Sequence, residues 1–212
     1  MKTALWQRML FFIWPPYHAH FANDSLKRSE FRKDWEVSLA EIRASVPLNT
    51  TDEEIEALAK RYSDSESNRK KTLEEKATSF VTQIGVTVSL ISIIPTLFGR
   101  VWRLTSFWAH VDGLAYLAGL VYLLIAAYYG IMVRKSGSFA LPTGEDFLDL
   151  IKTEKPRRED AIYTVAQARW NTETLVQKLN FLSVAEGMFL RGLSLIAFAA
   201  VTSVGAKLVL LH

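Results

Sequence analysis

Charged and apolar residues alternate in long blocks along this chain. Residues 23–79 are dense in charge, and Phe80 to Gly99 then carries no charged residue. Gly113 to Val133 is again free of charge, and Arg134-Lys135 ends it. Residues 134–191 return to high charge, and Gly192 to Leu211 is apolar except for Lys207. A helix needs about 20 mainly apolar residues to cross a hydrocarbon core of roughly 30 Å. The pattern therefore predicts three spans, 80–99, 113–133 and 192–211, the first two forming a hairpin over 80–133. Three buried helices of a soluble bundle are the alternative, but segment 113–133 is apolar on every face, which such helices seldom are.

The charged blocks read as helices. Residues 24–46 contain no Gly or Pro, with Asn23, Asp24 and Ser25 as candidate caps and Pro47 as the stop. Thr51 and Glu54 have capping-box spacing, and Ile55, Leu58, Ala59 and Tyr62 fall on one helical face. With no breaker between Thr51 and Phe80, this helix is expected to run into the first span, kinking at Pro95. The polar stretch Ser63 to Lys71 is its weakest part. A short helix is expected over 145–153, after the turn signal Leu141-Pro-Thr-Gly144. From Arg157 onward a second long helix follows, with Ile162, Val165, Thr172, Val176, Leu179 and Ser183 as its packing stripe. The start of the chain, residues 1–22, is an aromatic segment with Trp6, Phe11, Phe12, Trp14 and Tyr17 beside Lys2 and Arg8. It suits the membrane interface or a short helix packed on the rest of the protein, its apolar run ended by Pro15-Pro16.

Composition adds exclusions. The 212 residues average a mean hydropathy of only +0.11, a mean over two unlike populations. Zero cysteines remove disulfides, thiolate catalysis and Cys-type metal sites. A net charge of +3 from 25 basic and 22 acidic residues is too balanced for a nucleic-acid footprint. The basic residues do set an orientation. Arg69, Lys70, Lys71 and Lys76 precede span one, and Arg134 and Lys135 follow span two. The connection between those spans has only Arg100 and Arg103. The bias places residues 1–79 and 134–191 in the cytoplasm and the C-terminus outside. The fold class that follows is an all-α integral membrane protein, with three transmembrane helices and long cytoplasmic helical extensions.

No phosphate-binding glycine loop, GxSxG turn or HExxH is present, so the sequence names no catalytic, metal-binding or cofactor-binding residues. Candidate chemistry is confined to two groups. Lys70, Lys71, Arg157 and Arg158 are the candidates for an anionic ligand or lipid headgroups. Gln83 with Thr87, and Ser89, Ser92 and Thr96, are polar faces of span one. Gly119 and Gly130 of span two close small-xxx-small pairs with Ala115 and Ala126. Either group of small and polar residues can pack helices or line a water-filled path, and packing is the commoner fate.

Two stretches carry a resemblance. Leu73-Glu-Glu-Lys-Ala-Thr-Ser-Phe-Val-Thr-Gln-Ile-Gly85 opens the first span, and Asn171 to Leu193, with Lys178-Leu-Asn-Phe-Leu182, leads into the last. Together they resemble the transmembrane Pycsar effectors and the SLATT-type membrane domains of bacterial antiphage systems. The resemblance implies an inner-membrane effector that oligomerises and perturbs the membrane, arresting or killing the infected cell. It also implies a cytoplasmic trigger such as a cyclic nucleotide, with the lipid bilayer and further copies of the chain as partners. The alternative is a non-catalytic membrane scaffold that recruits a cytoplasmic protein partner.

Overall fold

The computed structural model describes residues 14–28, 35–47, 49–98, 107–135, 148 and 150–210. Its principal helices are α1 (Pro15–Arg28), α2 (Trp35–Ser45), α3 (Asp52–Phe98), α4 (Phe107–Arg134) and α5 (Pro156–Leu210). The described residues contain no strand. Three helices, α3, α4 and α5, are long and apolar enough to cross a membrane.

Local chemistry explains the helix ends. Pro15-Pro16 opens α1 rather than merely ending an apolar run, because a proline in the first turn loses only an amide that has no helical partner. The three candidate caps Asn23, Asp24 and Ser25 consequently lie inside α1, and Ser25 Oγ donates back to the Ala22 carbonyl at 2.7 Å. The capping box forms as expected: Thr51 N donates to Glu54 Oε2 at 3.1 Å and Glu54 N to Thr51 Oγ1 at 3.3 Å. Helix α3 passes through Ser63–Lys71 without a break. Pro156 occupies the first position of α5, a 55-residue helix. Of the short helix expected over 145–153, residues 148, 150 and 151 are helical, and the rest of its start lies outside the described residues. The first thirteen residues, the turn with Trp102, and the side chains of Pro95, Thr96 and Lys207 also lie outside them.

The chain divides into two compact units. The first comprises residues 1–19, 75–134 and 181–212. In it α3 and α5 run parallel, with Phe80 edge-on to Phe189 at 5.3 Å and Ile91 clustered with Ile196 and Ala199 further along both. Helix α4 runs antiparallel to them, since Gly130 lies against Val81 and Tyr116 OH donates to the Ile91 carbonyl at 3.1 Å. Ala19 of α1 is buried in the core with Ile84, Ala126, Tyr129, Val184, Ala185 and Met188.

The second unit comprises residues 20–74 and 135–180. Here too α3 and α5 are parallel, tied by Asp52 to Arg158 at one end and Glu74 to Lys178 at the other. Helix α2 lies antiparallel along α5: Arg43 meets Glu159, Ile42 packs with Ile162 and Ala166, and Glu41 faces Arg169. Ile55 and Ala59 are buried against Ala161, but Leu58 is 61% exposed and Tyr62 36% exposed, so the face expected at the start of α3 is narrower than its apolar residues suggest. The α5 stripe also shifts. Ile162 is buried as expected, Leu179 and Ser183 are exposed, and the buried line runs through Leu175, Lys178 and Leu182 instead. A lysine reads as an outward position in the sequence; here an ion pair lets it stay inside.

Candidate functional site

Among the described residues, the polar side chains of span one other than Thr87 do not face the core. Thr78, Thr82, Gly85, Ser89 and Ser92 are all exposed, at spacings of four and three, along one line of α3. That period keeps a seam on one side of a helix that supercoils with a neighbour. The hydroxyls are already satisfied: Thr82 donates to the Thr78 carbonyl at 3.0 Å, Ser89 to Gly85 at 2.9 Å and Ser92 to Val88 at 2.7 Å. What the line presents outward is small, flat and internally hydrogen-bonded. Gln83 is exposed, its Nε2 3.5 Å from Ser79 Oγ, whereas Thr87 is half-buried, so these two do not form one polar face. Sequence reading found Ser89 and Ser92 and missed Thr78, Thr82 and Gly85, which the same spacing connects.

The glycines of the first unit act differently from one another. A Cβ on Gly119 would lie 2.5 Å from Ile196 Cγ1 and 2.9 Å from the Gly192 carbonyl oxygen, and one on Gly192 would lie 2.9 Å from the Gly119 carbonyl oxygen. The two glycines bring the backbones of α4 and α5 together. A Cβ on Gly130 would likewise lie 2.7 Å from Val81 Cγ2. Gly119 and Gly130 are thus used within the chain. Among the described residues, no atom beyond its own stretch of helix backbone lies within 4 Å of a Cβ on Gly85.

The four basic candidates do not converge. Arg158 is spent on structure: it donates to the carbonyls of Thr50 at 3.2 Å and Pro47 at 3.0 Å and lies 3.8 Å from Asp52. Arg157 is exposed, 3.9 Å from Glu53. Lys70 is half-buried and Lys71 exposed. The arginines sit beside residues 52 and 53, so Lys70 and Lys71 lie about 25 Å further along α3.

Three buried charges went unnoticed in the sequence. Lys178, 3% exposed, donates to Glu74 Oε1 at 2.6 Å. Asp112 is buried in the first unit and accepts from Thr202 Oγ1 at 2.6 Å and Ser203 Oγ at 3.0 Å. Glu66 is buried in α3 and accepts from Arg69 Nη1 at 2.7 Å, while its second oxygen, Oε2, has no partner among the described residues. Their helical spacing places each on a packed face, but single charges are discounted by any average of apolar residues. Outside the spans, the Glu159 carboxylate raises the Arg43 pKa above its ordinary value, chiefly through their hydrogen bond. Among the described residues no cluster of His, Asp or Glu is arranged to hold a metal. Comparison with known protein families, curated proteins and solved structures finds no match to this chain.

Proposed function

We propose that this protein is a membrane-embedded effector whose first span self-associates, and that the assembly perturbs the bilayer when a cytoplasmic trigger acts on the charged unit. The observation that carries the reading is the exposed line Thr78, Thr82, Gly85, Ser89 and Ser92. Hydrocarbon offers no hydrophobic drive for helix association, so close packing of small residues supplies it. The rest of the first unit suits lipid: Val86, Leu90, Leu114, Leu117, Leu124 and Ile131 are all half or more exposed. The inner membrane, with the N-terminus inside and the C-terminus outside, is the orientation that the Lys and Arg distribution favours. The antiphage setting and the nucleotide nature of the trigger are implied by the resemblance of Leu73–Gly85 and Asn171–Leu193.

A scaffold reading has one observation in its favour. Leu58 and Ile151 stand out from the charged unit, 61% and 74% exposed, as a docking protein would use them. A membrane-potential dye in cells expressing the intact chain separates the two. The effector reading expects depolarisation by the unaltered protein when the trigger is supplied or high expression drives assembly, and none by Gly85→Leu, whose Cβ meets nothing within 4 Å among the described residues. An unchanged potential at high expression, together with a stably copurifying protein, would favour the scaffold.

A further inference from the structure

In the charged unit, residues 61–73 of α3 and 175–179 of α5 border an open groove of about 690 Å³. That volume is in the range of small-molecule sites. Its two walls differ in chemistry. The α3 wall offers Arg61, Ser65, Asn68, Arg69 and Thr72, with Asp64 at the Arg61 end. The α5 wall offers Leu175, Val176 and Leu179, with Leu73 joining them from α3.

The polar wall is ordered along the helix. Arg61, Ser65 and Arg69 recur every four residues, so their side chains spring from one line of α3, about 6 Å apart in turn along the helix axis, with the hydroxyl between two long arginine arms. Arg69 is held by Glu66, itself buried, with Oε2 enclosed and unpartnered among the described residues. The side chains of Arg61, Ser65, Asn68 and Thr72 make no hydrogen bond or ion pair among the described residues. Elsewhere on the same helix, Thr82, Ser89 and Ser92 turn their hydroxyls back to their own carbonyls. The groove therefore keeps uncommitted donors beside an apolar surface. Arginine forks match the oxygens of a phosphate, and Asp64 disfavours a second anionic group.

We propose that this groove binds a small amphipathic organic phosphate, its single phosphate on the Arg61–Ser65–Arg69 row and its ring or aliphatic body against Leu175, Val176 and Leu179. Such an occupant touches Leu73 and Leu179, each next to a member of the Glu74–Lys178 ion pair, on helices that run on unbroken as α3 and α5. Binding stands independently of the membrane reading; service as the trigger rests on it.

The test uses the full chain in phosphatidylcholine nanodiscs, titrated calorimetrically with 1-naphthyl phosphate, inorganic phosphate and 1-naphthol. The expected result is one saturable site per chain for naphthyl phosphate, at least tenfold tighter than for either fragment. Arg61→Ala and Leu179→Asp should each weaken it tenfold or more with helix content unchanged by circular dichroism. Both residues are exposed, so neither change removes a core contact. Absence of saturable binding, equal binding of inorganic phosphate, or indifference to both substitutions overturns the proposal. Loss of binding in phosphatidylglycerol discs also overturns it, because the anion is then a lipid headgroup. Tight binding without any change in dye leak from liposomes overturns the trigger role alone and leaves the effector reading to its own test.

Discussion

Gly119 and Gly85 lie on neighbouring helices and have opposite surroundings. At Gly119 a methyl group would meet Ile196 and the backbone of Gly192; at Gly85 it would meet nothing within 4 Å among the described residues beyond its own helix backbone. Gly119→Val should therefore lower stability by about 1–3 kcal/mol, the usual cost of overpacking. Gly85→Leu should leave thermal unfolding in detergent unchanged or slightly raised, since glycine is the poorer helix former. Measured side by side, equal effects would contradict the placement of the two glycines. Asp112 makes a second residue-scale case. Removing a donor from a buried carboxylate costs about 1–3 kcal/mol, so Thr202→Val should destabilise the first unit by that order. The double variant Asp112→Leu with Thr202→Val should lose less than the two single changes summed, which a double-mutant cycle reads directly. A sum that is merely additive would mean that the two side chains do not interact.

Among the elements, α3 and α5 were the most legible from sequence and also the most misleading. The capping box at Thr51, the missing breakers up to Phe80 and the proline at 156 give both helices and their continuity. Their apolar blocks give the three candidate spans. The faces were harder to read. Lys178 is buried against Glu74, a partner 104 residues away that no local spacing shows, whereas Glu66 pairs with Arg69 three residues on, a visible spacing that does not reveal which of the two is buried. The cap signal Asn23-Asp24-Ser25 failed for a similar reason: Asn23 sits inside α1, buried, with its Oδ1 accepting from Asn180 Nδ2 at 2.7 Å. A polar residue suited to ending a helix is equally suited to a buried amide pair. The ion pair sets a prediction for the α3–α5 packing. Glu74→Ala leaves the Lys178 ammonium without the carboxylate at 2.6 Å and should cost about 3 kcal/mol, whereas Lys178→Met, which removes the charge itself, should cost far less. Denaturant unfolding checks the order of the two, and the reverse order would refute it.

For the whole molecule, the division into two compact units matters most. One is apolar outside, with its small polar line exposed on α3; the other carries the ion pairs and the amphipathic groove. Two uninterrupted helices belong to both, so the proposed ligand on one unit and the proposed self-association of the other would act on the same elements. The most direct test of self-association uses the absence of cysteine from the chain. Single cysteines placed at Ser89, at Ser92 and, as a lipid-facing control, at Leu124 of α4 are oxidised in membranes and read as dimers on a non-reducing gel. The account predicts strong cross-linking at 89 and 92, little at 124, and loss of the 89 cross-link when Gly85→Leu is added. Cross-linking that favours position 124, or that is indifferent to position along α3 and to Gly85→Leu, would contradict it.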